Sequence, residues 1–154
     1  MVKTKAKKVQ IETETRVVKV PSGRSFREAI VATKRVPNYD EDLLESVLRS
    51  CAYNGDVIFY RPKRWIEGDN DLRRELSKHN LVLADPHTQA QVHIDDPNFA
   101  DDHPNFTHWK GPDGKWYFAK YWLRDNKRVV EVCRRRGDIG KGWWFACFKK
   151  PIGA

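Results

Sequence analysis

Imidazole and carboxylate side chains are concentrated in one stretch of the chain, residues 85–108. Nine of these 24 residues are His or Asp, and none is Lys or Arg. Such groups are ligands for Zn, Mn, Fe and Mg, and a metal held beside a basic groove activates water for phosphodiester hydrolysis. The candidate ligands are His93, Asp95, Asp102, His103 and His108.

The spacing of these ligands matches no HNH, HExxH or two-metal pattern. The alternative interpretation is a loop in which Asp96-Pro97-Asn98 and His103-Pro104-Asn105 form turns, because proline presets φ and asparagine tolerates the next position. We therefore expect no cofactor, with a divalent metal in this segment as the open alternative.

Aromatic and basic residues are interleaved in the last 46 residues, from Trp109 onward. This segment holds five of the six tryptophans, ten of the eighteen aromatic residues and twelve lysines and arginines. Ammonium and guanidinium groups neutralise phosphates, while indole and phenol rings stack on bases. The pattern favours nucleic acid as a partner, although Trp, Tyr and Arg also dominate contacts between proteins.

Two kinds of residue are predicted to bind nucleic acid. Phosphate contacts are expected from the N-terminal arm, from residues 61–64 and from the basic, glycine-rich tip at 134–141. That tip is not a phosphate-binding P-loop, because it lacks the GxxxxGK[ST] pattern. Bases are expected to stack on rings of the C-terminal sheet. The residues concerned are Lys3, Lys5, Lys7, Lys8, Arg61, Lys63, Arg64, Tyr117, Tyr121, Arg134, Arg135, Arg136, Lys141 and Trp144.

Charge and composition favour a protein that binds polyanions and argue against a zinc-binding, disulfide-linked, membrane or secreted protein. The net charge of +8 divides into +5 for residues 1–80, −5 for residues 81–109 and +8 for residues 110–154, and clustered positive charge attracts polyanions. The three cysteines form no CxxC pair, which argues against a zinc ribbon or a disulfide framework. No apolar run of membrane length and no secretory signal is present. We expect a cytoplasmic protein, or one in the host cytoplasm if it is viral.

Local patterns predict alternating strands and helices before the acidic segment. Period-2 and period-3.6 spacings of apolar residues carry these predictions, and a phase shift near Val17 and Val18 suggests a bulge in the first strand. Strands are predicted at 9–20, 56–60 and 81–84, and helices at 25–34, 40–51 and 71–80.

The C-terminal part predicts an antiparallel meander over 115–149, with strands at 115–123, 127–135 and 142–149. Both of its faces are aromatic, so two coverings are needed. Helices supply one. The second is the 85–108 loop, another subunit or a ligand. If these rings are not simply core, Tyr117, Tyr121 and Trp144 form an open stacking platform.

The predicted fold class is α+β, with N-terminal helices and short strands packed on a three-stranded antiparallel aromatic-rich meander. Residues 1–8 are expected to be a flexible basic arm and residues 9–154 a single domain. The favoured function is a non-enzymatic nucleic-acid-binding accessory protein of viral or mobile-element origin. The alternatives are a metal-dependent nuclease and a virion structural or host-enzyme-inhibiting protein that binds a protein partner. The type of nucleic acid and the oligomeric state stay open.

Overall fold

Strands contribute more residues to the structure than helices do. This computed structural model describes residues 11–134 and 139–151, which contain eight strands and five helices. The strands are β1 Glu12–Val20, β2 Val36–Tyr39, β3 Tyr53–Arg61, β4 Leu81–Leu83, β5 Asn105–Lys110, β6 Trp116–Arg124, β7 Lys127–Arg134 and β8 Trp144–Lys149. The helices are α1 Phe26–Ala32, α2 Glu41–Glu45, α3 Gly68–Ser77, α4 Pro86–Asp95 and α5 Phe99–Asp102. No helix in this described part is both long and apolar enough to cross a membrane.

One mixed sheet contains all the described strands. Its order is β1-β3-β8-β5-β6-β7-β2, and β4 pairs with β8 alongside the end of β5. The pairs β2–β7 and β5–β8 are parallel and the remaining pairs are antiparallel. Strand β8 is central, because Phe145 pairs with Tyr60 on one side and with Phe106 on the other.

The sheet has two faces, which we call the α4 face and the α3 face after the helices packed on them. On the α4 face, Phe59 and Ala146 form a core with Val92 of α4. On the α3 face, Tyr60 and Phe145 form a separate core with Leu72 of α3. Residues alternate between these faces along each strand.

Helix α4 lies in the core rather than on the surface. The Asp85 side chain begins it by accepting a hydrogen bond from the backbone N–H of Thr88 at 2.9 Å, and eight of its ten residues are buried. The Gln89 amide donates to Asn105 Oδ1 at 2.9 Å and to the carbonyl of Ala119 at 3.2 Å. The sheet therefore supplies the partners that let this polar helix be buried.

The predicted acidic loop at 85–108 is wrong. That segment forms α4, α5 and β5, and its residues lie largely in the core. Buried polar side chains occur all round α4, so the sequence lacks the apolar stripe that marks an amphipathic helix. The chain was predicted as a loop because its polar groups are satisfied by distant strands.

The predicted meander is also wrong in topology. Strands β6 and β7 form the expected antiparallel hairpin, which Asp125 and Asn126 close with φ values of 51° and 61°. Strand β8 does not follow β7 in the sheet, because β5 lies between β8 and β6. The molecule is thus a mixed α+β protein with a large sheet rather than helices on three strands.

Two local predictions fail nearer the N-terminus. The predicted helix over 40–51 is only α2, and Leu48 of its apolar stripe is 85% exposed. The chain turns instead toward β3, whose nine residues pair with β1 in an unbroken register. That register includes Val17 and Val18, so β1 has no bulge there. The helix predicted at 25–34 is confirmed as α1, capped by Ser25.

Candidate functional site

The α3 face is only partly covered by its helix. Leu72 and Leu76 of α3 pack over β3, β8 and β5. The side chains that β6 and β7 place on this face extend beyond the helix. There Phe118, Lys120 and Trp122 follow one another on β6 and are only half-buried. This part of the sheet presents aromatic and cationic groups to the outside.

Lys120 is at the centre of this surface. Its Nζ lies 3.8 Å from the ring centroid of Trp122 and 4.8 Å from that of Trp143. Glu131, opposite it on β7, places a carboxylate oxygen 3.8 Å from the same Nζ. Burial lowers the pKa of Lys120, and the Glu131 carboxylate acts in the opposite direction. The lysine therefore positions both indole rings by cation–π contact.

The two indoles form a rigid corner. Trp122 and Trp143 meet edge to face, with centroids 6.0 Å apart and planes at 81°. Trp143 also contacts Phe106 at 4.8 Å with planes at 63°, and Phe106 belongs to the core under α3. Edge-to-face packing of this kind fixes ring orientation, so the half-buried parts of both indoles have a set direction.

Two exposed cations lie at one end of this row. Arg124 and Lys127 are register partners beside the β6–β7 turn, and both are exposed. Strand alternation places them on the same face as Trp122. Neither forms an ion pair with another residue in the ranges 11–134 and 139–151. They are therefore available to a phosphate.

The other end of the row is acidic. A depression of about 740 Å³ lies beside Phe118 and Glu131. Asp40, which precedes α2, and Glu41 and Asp42 of α2 contribute three more carboxylates to its wall, where Arg134 is the one cation among the described lining residues. An anionic ligand is repelled there and attracted toward Arg124 and Lys127. The surface therefore has a basic end at Arg124 and Lys127 and an acidic end at the depression.

Trp65 is a further indole on this side of the molecule. Its neighbour Ile66 is buried and pairs with Ile139, whereas the Trp65 side chain points outward and is 57% exposed. The ring lies over Gly140, where a Cβ would be 3.4 Å from the indole. Lys63 and Lys141 flank it and are exposed. We call Trp65, Lys120, Trp122 and Trp143 the tryptophan platform.

The aromatic residues predicted to stack on bases lie on the covered α4 face. Tyr117, Tyr121 and Trp144 all point to the α4 face and are buried. Tyr121 stacks on His93 with centroids 3.9 Å apart, and Tyr117 donates a hydrogen bond to Asp113. Helices cover Tyr121 and Trp144, and the β5–β6 turn covers Tyr117. These three rings are therefore buried and do not form the predicted open platform.

The cations predicted to contact phosphates lie in different environments. Arg61 forms an ion pair with Glu12 and lies 4.9 Å from the Trp144 ring centroid. Arg64 is bonded to Asp71 at 2.8 Å, which raises its pKa, so it is engaged internally. Lys63, Arg134 and Lys141 are exposed, and a carboxylate oxygen of Asp113 is 3.9 Å from Arg134. The remaining cations lie outside the described residues: Lys3, Lys5, Lys7, Lys8, Arg135 and Arg136.

The candidate metal ligands are dispersed. His93 is buried against Tyr121, His103 stacks on Phe99, and His108 stacks on Trp116 with Asp69 2.8 Å from its Nδ1. Asp95 accepts a hydrogen bond from Gln91, and Asp102 is exposed. Among the described residues, no three His, Cys, Asp or Glu side chains are grouped to hold a metal ion.

Sequence reasoning missed the tryptophan platform, although a signal was present. Lys120 and Glu131 are charged residues within the two aromatic strands, and they share a face with Trp122. The opposite rows contain Tyr117, Ala119 and Tyr121 with Val130 and Val132, which are all apolar or aromatic. The charged pair marks the face that meets water.

The fold and this surface define a mixed α+β protein whose sheet carries a basic, tryptophan-bearing face. The sequence matches no protein-family model, and no curated protein or solved structure shows a detectable match to the chain. The function is therefore inferred from the geometry of the chain itself.

Proposed function

We propose that the protein binds single-stranded nucleic acid on the tryptophan platform without catalysing a reaction. Bases stack on the half-buried faces of Trp122 and Trp143 and on the exposed ring of Trp65, while Arg124, Lys127, Lys63 and Lys141 contact phosphates. Stacking on aromatic rings requires unpaired bases, which is why a single strand fits this surface. The compartment that we propose is the cytoplasm, or the host cytoplasm if the protein is viral.

The observation that carries this proposal is the placement of Lys120 between Trp122 and Trp143. It holds two indoles in fixed orientation on a strand face that α3 leaves uncovered. Cations without ion pairs among the described residues adjoin this cluster at one end. Preset stacking surfaces with neighbouring cations are what a single-strand site uses.

The alternatives have less support. A metal-dependent nuclease needs ligands that meet, and the candidate histidines lie in separate packing environments. A protein partner would also use exposed tryptophans. Arg124 and Lys127, which form no ion pair within residues 11–134 and 139–151, lie next to the platform and favour a polyanion. Binding of an acidic protein surface is an alternative outcome of the test below.

The test is a fluorescence titration with a 12-residue oligothymidylate at two salt concentrations. We expect tryptophan quenching, and Trp122→Ala should weaken binding about 5- to 150-fold, since stacking contributes roughly 1–3 kcal/mol per base. Arg124→Ala should reduce the slope of log affinity against log salt by about 0.7, the value for one phosphate contact on a single strand.

Arg128→Ala is the matched control. Arg128 is on the same hairpin but faces α5, where it bonds to Asp101 and Asn98. Arg128→Ala and Arg124→Ala lower the net charge of the protein by the same amount. Because Arg128 is not proposed to contact a phosphate, Arg128→Ala should leave the affinity and the salt slope close to those of the parent protein. If Arg124→Ala and Arg128→Ala behave alike, or if no binding occurs at low salt, the proposal is wrong and a protein partner becomes the better hypothesis.

A further inference from the structure

Strand β1 is an open edge of the sheet. It is the first strand in the order β1-β3-β8-β5-β6-β7-β2, and among the described strands it pairs with β3 alone. Its nine residues contain no proline, and its register with β3 is unbroken. An edge of this length presents a row of backbone N–H and C=O groups to a further strand.

The opposite edge of the sheet, β2, is protected against strand addition. It has only four residues, and the second of them, Pro37, has no N–H to donate. A short edge strand that contains proline is a common device against edge-to-edge pairing. The two edges therefore differ, and β1 is the one that offers a long pairing surface.

Hydrogen bonds of β8 show how the backbone of β3 is oriented. The carbonyl of Ala146 accepts from the N–H of Ala84, on the β4 side of β8. Backbone groups of successive residues in a strand point to opposite sides, so those of Phe145 point toward β3. Phe145 pairs with Tyr60, and the backbone groups of Tyr60 therefore point toward β8.

The same alternation determines the orientation of β1. Phe59, next to Tyr60, directs its backbone groups toward β1, where its register partner is Glu14. The backbone groups of the residues that alternate with Glu14 therefore point away from the sheet. A hydrogen bond from the Arg16 side chain to the carbonyl of Thr15 at 3.0 Å agrees with this direction. The outward residues are Thr13, Thr15, Val17 and Lys19, and all four are exposed.

Side chains along this edge also suit a neighbouring strand. Val17 is 72% exposed, although Val18 beside it is buried in the core of the α4 face. Thr13 and Thr15 lie on the same face as Val17, because residues two apart share a face. Three exposed β-branched side chains in one row pack well against a strand laid beside them.

The charges of β1 are complementary to those of a second copy. A closed two-fold dimer of sheet edges requires antiparallel strands. With Thr15 opposite Thr15 of the second copy, Glu14 lies opposite Arg16 in both directions, and opposite charges stabilise such pairs. Sliding the strands by two residues places either two arginines or two glutamates opposite each other, which is destabilising. Charge therefore favours the register centred on Thr15.

We propose that the protein forms a two-fold dimer in which β1 pairs antiparallel with β1 of a second copy. The Thr15 pair at the axis and the two Thr13–Val17 pairs each exchange two backbone hydrogen bonds. Glu14 and Arg16, already 3.5 Å apart within one copy, join those of the second copy in a cluster of alternating charges. The two eight-stranded sheets become one continuous sheet.

This symmetry has a consequence that rests on the proposed function. The two-fold axis is perpendicular to the sheet, so both α3 faces, and with them both tryptophan platforms, lie on the same side. Strand spacing places the platforms on the order of 50 Å apart. A 36-residue oligothymidylate, about 120 Å long at about 3.4 Å per nucleotide, reaches both, whereas each platform binds a 12-residue strand separately.

Sedimentation velocity of the full-length chain without nucleic acid tests the dimer. Between 2 μM and 500 μM, we expect the sedimentation coefficient to rise from that of a monomer to that of a dimer. Over the same range, hydrogen exchange in the peptide that contains β1 should slow, because the outward amides become bonded. A monomer at every concentration, or a dimer with unprotected β1 amides, overturns the proposal.

Charge reversals test the register. Glu14→Arg and Arg16→Glu each place like charges opposite each other, so each should weaken dimerisation at least tenfold. An equimolar mixture of the two variants should form a heterodimer, because every charge then faces its opposite. Lys19→Glu is the matched control, since it makes the same change of charge on β1 beyond the paired residues 12–18. Absence of the heterodimer, or an equal loss in Lys19→Glu, overturns the proposal.

Thr15→Lys tests the dimer at an exposed position. Arg16→Glu also loses contacts with Asp96 and Phe99 within one copy, whereas Thr15→Lys keeps them. Two lysines opposed at the axis should weaken dimerisation at least tenfold, while circular dichroism and thermal unfolding at 2 μM match those of the parent. Dimerisation of Thr15→Lys with the parent's affinity overturns the proposal.

The dimer and the nucleic-acid site fail independently. Trp122→Ala should leave dimerisation unchanged. Thr15→Lys should bind the 12-residue oligothymidylate within twofold of the parent's affinity, but its preference for the 36-residue strand over the 12-residue strand should fall at least tenfold. If neither strand binds to the parent, the proposed function is wrong and sedimentation still decides the dimer. If the parent binds both strands but stays monomeric, the dimer is wrong and the proposed function stands.

Discussion

The two faces of β6 carry aromatic side chains in almost equal number, but they differ in what lies against them. Tyr117 and Tyr121 are both buried on the α4 face. Residues of α1 and α4 surround Tyr121, and the β5–β6 turn lies against Tyr117. Phe118 and Trp122 on the α3 face are half-buried, and the group against Trp122 is the ammonium of Lys120. Ring type alone does not determine burial.

The difference shows that a charged neighbour indicates whether an aromatic ring is part of the core or partly open to solvent. A buried ring on the α4 face has its volume filled by fixed neighbours, as in the stack of Tyr121 on His93. Trp122, held by the half-buried ammonium of Lys120, retains a solvent-facing part that can accept another ring. The α4 face should therefore determine stability, and the α3 face beyond α3 should determine binding.

The largest expected effect comes from Tyr121→Ala. Removing a fully buried aromatic side chain should reduce the free energy of unfolding by about 3–5 kcal/mol, because a cavity remains where the ring stacked on His93. Trp122→Ala, one residue away on the other face, should reduce it by about 1 kcal/mol, because this ring is only partly buried. Urea denaturation of both variants measures the difference.

Substitutions of Trp122 should weaken oligothymidylate binding more than substitutions of Tyr121 that leave the protein folded. Tyr121→Phe keeps the stack and removes a hydroxyl that has no hydrogen-bond partner in the described ranges, so this variant should bind oligothymidylate as the parent does. Similar losses of stability for Tyr121→Ala and Trp122→Ala would remove the distinction between the faces.

The sequence predicted local structure better than the arrangement of the sheet. Helix α1 and the β6–β7 hairpin depend on short-range signals, namely the Ser25 cap and the Asp125-Asn126 turn, and both are confirmed. Strand β5 pairs with β8 from the far end of the chain, and no local pattern encodes such a partner.

The error on the site has the same origin. The buried polar helix α4 depends on Asn105 and the Ala119 carbonyl to satisfy Gln89. These partners are 16 and 30 residues away along the chain. Without them the segment resembles a polar loop, and a loop is one of three possible coverings of the second face that the sequence leaves open, with another subunit and a ligand. Tyr117, Tyr121 and Trp144 were expected on an open face for that reason, whereas the structure buries them.

A change of pH should affect the α4 face through His93. Burial and the nearby Arg35 lower the pKa of His93 to about 3, whereas the unfolded chain has the ordinary value of about 6.5. Between these values only the unfolded state takes up the proton, so stability is full above pH 6.5 and falls as the pH decreases. The loss should be about 2 kcal/mol at pH 5, from about 1.4 kcal/mol per pH unit.

His93→Gln separates this contribution from other titrations. His93 Nε2 lies 3.2 Å from Asn105 Oδ1. A glutamine at this position retains an N–H that can donate to Asn105, but the glutamine side chain does not titrate. The variant should be less stable at pH 7 because the stack on Tyr121 is lost, and its stability should change less between pH 7 and pH 5. Tyr121→Phe, which keeps the histidine, should show the parent's pH dependence. An unchanged pH dependence in His93→Gln would contradict the assignment.

The smallest effect concerns the turn that joins the two strands and belongs to neither face. Asn126 has a φ of 61°, a conformation that glycine adopts without a Cβ penalty, and a two-residue hairpin turn with positive φ at both positions favours glycine second. Asn126→Gly should therefore raise the free energy of unfolding by about 0.5 kcal/mol, because relief of about 1 kcal/mol of left-handed strain is partly offset by the greater conformational entropy of glycine in the unfolded chain. Because the substitution touches neither the Tyr121 row nor the Trp122 row, oligothymidylate affinity should stay within twofold of the parent's. A large change in affinity would show that the turn itself binds the ligand. The main binding residues would then be Arg124 and Lys127 beside the turn, rather than the indole rings of the α3 face.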